Sequence, residues 1–120
     1  MGGLNRSILA GRLVADPEVR YTKTEKAVTH FRLAINGRKN EDAVFVNCVA
    51  WNGLAKICGE YLKKGRLVAV EGRLQIKSYK DKNGQQKQST EIVVDNMQML
   101  DSKFHKAASK ANDKEELVQI

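Results

Sequence analysis

Proline occurs once in these 120 residues, at position 17, and no Pro- or Gly-rich stretch divides the chain. No interdomain linker is expected, and the length suits one domain able to bury its own core. Cysteine occurs twice, as Cys48 and Cys58, ten residues apart and without forming C-x-x-C. Both read as buried, reduced thiols of a cytosolic protein. Histidine is as scarce, with His30 on a strand and His105 near the C-terminus. No acid cluster has ligand spacing, and Ser7, Ser78 and Ser89 have no local partner pattern, so metal-dependent or nucleophilic catalysis has little to work with. No cofactor and no metal are expected. No apolar run reaches membrane-spanning length, and residues 1–6 lack the apolar part of a signal peptide. The Met-Gly start is followed by Arg6, where a myristoylation site carries Ser or Thr. The chain is expected in the cytoplasm, away from membranes.

Positive charge is in excess. Lys and Arg number 21 against 14 Asp and Glu, for a formal charge of +7. Residues 101–120 hold four lysines and four acids, which cancel, so the whole excess sits on residues 1–100. A domain that basic favours a polyanionic partner.

Residues 5–14 read as a strand with Gly11 as a bulge or bend. Asp16-Pro17-Glu18 reads as a turn, which accounts for its paired acids without a metal or acid/base site. Residues 27–36 form the next strand, with Phe31, Leu33 and Ile35 on one face and His30, Arg32 and Ala34 on the other. A polar loop containing Gly37 leads to a third strand over 45–51. Asn52 suits an N-cap, and Leu54, Ile57, Cys58, Tyr61 and Leu62 recur at helical spacing. That helix is expected to run to Lys63 or Lys64, with two lysines in its last turn and Gly65 as its stop. Residues 66–79 make a fourth strand with Gly72 inside it, Asp81-Lys82-Asn83-Gly84 a hairpin turn, and 86–100 the last strand. Residues 101–120 are polar, with Phe104, Ala107, Ala108 and Ala111 at helical spacing, and read as a tail or a short helix.

The expected fold is all-β: a five-stranded Greek-key barrel of the OB type, with one α-helix between strands 3 and 4 plugging one end. Residues 1–100 form the domain and 101–120 the tail.

Two runs suggest what the barrel carries. In 45–51, Phe45, Asn47, Val49 and Trp51 share a face, while Val46, Cys48 and Ala50 suit a core. In 73–79, Arg73, Gln75, Lys77 and Tyr79 share a face, opposite Leu74 and Ile76. Aromatics and cations mixed on one sheet face make a surface on which unpaired bases stack while phosphates are neutralised.

Several motifs then fall in order along the chain. They are Asn5-Arg6-Ser7-Ile8-Leu9-Ala10-Gly11-Arg12-Leu13, Asp16-Pro17-Glu18-Val19-Arg20-Tyr21, Glu60-Tyr61-Leu62-Lys63-Lys64-Gly65, Val70-Glu71-Gly72-Arg73-Leu74 and Met97-Gln98-Met99-Leu100. Together the residues from Leu4 to Leu100 resemble the bacterial single-stranded DNA-binding proteins. The resemblance implies the OB barrel reached above, assembled as a homotetramer around which single-stranded DNA wraps. It implies base stacking at Phe45, Trp51 and Tyr79, and phosphate contacts at Arg6, Arg20, Lys63, Lys64 and Lys77. Arg73 joins this set from the strand pattern above. Glu71 falls where subunits meet in relatives. The implied roles are in DNA replication, recombination, repair or uptake. A further stacking aromatic is usual in the loop after the second strand, and here Lys39 lies near its place. Relatives that recruit other proteins end in an acidic tip with a final Pro-Phe, whereas this chain ends Glu115-Glu116-Leu117-Val118-Gln119-Ile120. The expectation is a short form without recruitment through such a tip.

Three other readings stay open. A nuclease would need carboxylates that the pattern does not cluster. A protein-interaction module of the replication machinery would use Phe45 and Trp51 as interface residues. RNA is the third, because stacking platforms separate DNA from RNA poorly.

Overall fold

The alternation of strand-forming residues produces six strands and one helix in the computed structural model, which describes residues 2–100. Their order is β1 (Ser7–Leu13), β2 (Glu18–Tyr21), β3 (Ala27–Ile35), β4 (Val44–Trp51), α1 (Asn52–Tyr61), β5 (Leu67–Lys80) and β6 (Gln86–Met99). The sheet runs β1-β5-β6-β4-β3-β2, and β1 also pairs with β3. That extra pairing closes five strands into a barrel. All pairs are antiparallel except β4 with β6. The expected barrel and its helix are present, with one strand more than anticipated. The addition is β2, which hydrogen-bonds β3 alone and stands outside the closed ring. All four of its residues are exposed, so no buried alternation announces it. The tail helix anticipated from Phe104, Ala107, Ala108 and Ala111, and His105, lie outside the described residues.

The core follows the predicted parity. Phe31 and Leu33 of β3, Cys48 and Ala50 of β4, Val68 and Val70 of β5 and Ile92 and Val94 of β6 are buried together with Leu13. The helix closes one end through Ala55, Cys58 and the following Leu62. Small residues let it approach closely. The buried Thr29 hydroxyl donates to the Ala55 carbonyl at 2.7 Å, which fixes the helix to β3.

Three helical expectations are corrected. Ile57 and Tyr61 are exposed at 46% and 45%, so the buried stripe is narrower than the spacing implied. The barrel mouth accepts one residue per turn and leaves these two on its rim. Asn52 is not the N-cap. Trp51 holds that position with extended backbone, no side chain caps the helix, and Asn52 is its first residue at φ +58°. Strand β4 runs into the helix without a loop, and the left-handed turn this requires suits asparagine. The helix also ends earlier, at Tyr61, so Lys63 and Lys64 follow it rather than occupying its last turn. Gly65 likewise lies beyond the helix and does not stop it: Leu62 is the cap, its N–H donating to the Cys58 carbonyl at 3.0 Å, and Gly65 sits at φ +89° in the following turn, donating its N–H to the Leu13 carbonyl at 2.9 Å.

A further correction concerns Leu74 and Ile76. They keep the inward parity but are 43% and 56% exposed. Strands β5 and β6 each run 14 residues, long enough to project past the barrel as a two-stranded ribbon. Parity names a face, and there the face has no opposing layer.

Both thiols are free and fully buried, as expected. Burial pushes the Cys48 thiol up to about 12, with smaller contributions from the nearby Cys58 and Glu91, and burial pushes Cys58 up to about 11. The native fold thus retains protons that the unfolded chain releases above about pH 9. The stability this gives is complete below that pH and is lost as pH rises through 11 to 12. A thiol-reactive reagent at pH 8 is expected to leave both cysteines unlabelled in buffer and to label both in denaturant. Rapid native labelling would contradict the buried placement.

Candidate nucleic-acid interface

The strand registers lay the outward side chains into rows, because directly paired residues share a face. One row crosses four strands as Arg32, Asn47, Glu91 and Gln75. The next crosses five as Glu18, His30, Val49, Val93 and Arg73. A third holds Arg20, Val28 and Trp51, and on the far side Ala34 stands beside Phe45. Lys77 beside Ser89 and Tyr79 beside Lys87 continue the face onto the projecting ribbon. One outer surface therefore carries Phe45, Trp51, Arg20, Arg73, Lys77 and Tyr79.

Its floor is firm. Val28, Val49 and Val93 are 6%, 1% and 7% exposed and form a cluster separate from the barrel core. Above that floor the aromatics stand clear, with Trp51 37%, Phe45 52% and Tyr79 49% exposed. Trp51 and Phe45 are six residues apart on one strand, about 20 Å at strand rise, so the two rings are separate surfaces. The Arg32 guanidinium lies 5.0 Å from the Phe45 ring centroid, a cation–π contact. The sequence places Arg32 on the face opposite Phe31, Leu33 and Ile35 and gives it no role. Its diagonal relation to Phe45 depends on the β3–β4 register, which the sequence did not specify.

The expected phosphate-contacting residues divide in two. Arg6 pairs with Glu71, Arg20 with Glu18, and Lys77 with Glu91 at 3.3 Å. Lys63, Lys64 and Arg73 have no acidic partner within salt-bridge distance among the described residues. Position differs too. Arg6 precedes β1 and flanks β5. Lys63 and Lys64 occupy the turn after α1, off the strand face, where the Lys64 N–H donates to Asp16 Oδ1 at 2.9 Å. That bond explains one acid of the 16–18 turn. Lys39 and its neighbours form a tight turn, with the Glu41 N–H on the Arg38 carbonyl and Asn40 at φ +68°.

Residues 4–100 match the model of the single-strand binding protein family. The chain belongs to that family. Membership accounts for the closed barrel as an OB fold, with the helix between its third and fourth barrel strands. Similar curated proteins include the single-stranded DNA-binding protein of Oceanobacillus iheyensis, 40% identical over 105 residues, covering 83% of this chain and 65% of the relative. Single-stranded DNA-binding protein 3 of Listeria innocua is 39% identical over 115 residues, covering 92% and 72%. The single-stranded DNA-binding protein of Streptococcus pyogenes serotype M1 is 40% identical over 105 residues, covering 83% and 64%. Measured by these matches, the chain spans about two thirds of the length of these single-strand binding family members.

Proposed function

We propose that this protein binds single-stranded DNA stoichiometrically, without catalysis and with little sequence preference. The observation that carries the reading is the continuous outer face of β3, β4, β6 and β5, where exposed Trp51 and Phe45 stand over a firm floor among cations. Each aromatic face offers stacking to any base, and bases already stacked in a duplex gain nothing from it. Arg73 on the face, Arg20 in the row of Trp51, and Arg6, Lys63 and Lys64 on its margins neutralise the backbone and release counterions, while Lys77 lies on the same face paired with Glu91. Tyr79 extends the stacking track along the ribbon. The family and its named relatives support DNA as the ligand. The protein acts in the cytoplasm in replication, recombination, repair or DNA uptake. It assembles as a homotetramer, through surfaces that include the exposed Ile8 beside Glu71 on β1 and β5.

Trp51 is the only tryptophan, so its fluorescence reports the site directly. Titration with oligo(dT) is expected to quench it strongly, less so at higher salt, while a matched duplex leaves it nearly unchanged. Tight binding with a silent Trp51 would move the site elsewhere. Absence of binding to either would return the protein to the interaction-module reading.

A further inference from the structure

Glu91 is the one ionisable residue among the buried polar side chains of the described residues, at 7% exposure. It does not face the barrel core. Its outward row puts it between Asn47 and Gln75, in the middle of the surface assigned to DNA. An acid there repels phosphate, so its presence calls for an explanation. Its Oε1 accepts from Gln75 Nε2 at 3.1 Å and faces Lys77 Nζ at 3.3 Å. Lys77 pairs in register with Ser89, so its side chain reaches diagonally to the carboxylate.

The three ion pairs near the proposed track are not equivalent. Glu18 is 58% exposed, so water can take over when Arg20 leaves for a phosphate, and the Arg6–Glu71 pair lies apart, on the surface assigned to assembly. Glu91 has a side chain only 9% exposed. A carboxylate that far from water needs its counter-charge, and removing the partner leaves an uncompensated buried charge. Lys77 is therefore bound to stay.

We infer that Glu91 is a positioning residue that holds Lys77 and cancels its charge, limiting how tightly the centre of this face grips the DNA backbone. The inference rests on the single-stranded DNA reading above. Phosphate attraction then comes from Arg73 and the marginal cations, while the centre offers aromatic faces and the fixed Gln75 amide. A strand held this way gains sequence-tolerant stacking without a central ionic anchor.

Affinity for fluorescein-labelled oligo(dT), followed by anisotropy across a KCl series, tests this. Glu91→Gln keeps the shape and an oxygen for Gln75 while freeing the charge of Lys77. Its log K against log salt slope is expected to steepen by about 0.7, the increment for one more phosphate neutralised on a single strand. If the lines converge near 1 M salt, that slope corresponds to roughly eightfold tighter binding at 50 mM. The double variant Glu91→Gln/Lys77→Met, which removes both charges together and leaves no uncompensated carboxylate, is expected to keep the wild-type slope. A folded Glu91→Gln protein with an unchanged or shallower slope would overturn the inference. So would a double variant with a slope shallower than wild type, which decides the matter if Glu91→Gln alone does not fold. Wild-type protein that fails to bind oligo(dT) would overturn the DNA reading itself, a result distinct from intact binding with unsplit slopes.

Discussion

Substituting Trp51 with alanine is expected to weaken oligo(dT) binding by roughly 5- to 150-fold, the range given by about 1–3 kcal/mol of stacking per base. Trp51 is the last residue of β4 and 37% exposed, and it belongs to neither buried cluster. Its covered part still packs on the sheet, so melting temperature is expected to fall somewhat, and affinity is compared where both proteins are fully folded. Phe45→Ala should cost less, because phenylalanine offers a smaller face and Arg32 already lies over it. With the two positions about 20 Å apart along the strand, the losses should add in the double variant. Labelled DNA must report the binding, since the intrinsic fluorophore is gone. If Trp51→Ala breaks the oligomer while DNA affinity per intact assembly is retained, Trp51 is an interface residue and the stacking assignment fails.

The face was legible in the sequence because strand parity is a local property. Phe45 with Trp51, and Arg73 with Lys77 and Tyr79, needed only a period of two. That both runs lie on one surface is a fact of topology: β6 sits between β4 and β5 and joins them. The same local rule failed where its result depends on what lies opposite. Leu74 and Ile76 alternate like core residues, yet the ribbon has left the barrel by then. Glu91 carries no signal in the sequence at all, and only the register with Asn47 and Gln75 shows it enclosed. Strand β2 escaped notice because four exposed residues hydrogen-bonded to one neighbour produce no hydrophobic signal. The helix was visible by its spacing but its ends were not, since a strand that turns into a helix at a left-handed Asn52 needs no capping side chain.

The larger effect on stability is expected from one carbon atom. Gly72 lies where the β5–β6 register shifts: Glu71 pairs with Asn96 and Gly72 with Val94, leaving Asp95 as the extra residue of a bulge. A Cβ on Gly72 would stand 2.0 Å from the Val93 carbonyl oxygen, 2.8 Å from its carbon and 3.0 Å from the Val94 Cα. All three are backbone atoms, so no rotamer change relieves the clash, and β5 and β6 must separate. Gly72→Ala is accordingly expected to cost about 3 kcal/mol, the upper end for overpacking. For a domain near 100 residues that lowers the melting temperature by roughly 12–24 °C. Gly11→Ala meets the same kind of obstacle, 2.5 Å from the Ala34 carbonyl oxygen, where β1 passes from β5 to β3 and closes the barrel. Gly53→Ala is the control, because a Cβ there meets nothing within 4 Å and alanine is the better helix former. Thermal melts of the three variants separate steric closure from a general effect of losing glycine. A Gly72→Ala protein that melts with the wild type would mean that the ribbon can shift without opening the ladder. Arg73 follows Gly72 directly, and Gln75 and Lys77 lie two and four residues further on. The bulge that lets the strands approach there therefore also sets the register in which the DNA face is presented.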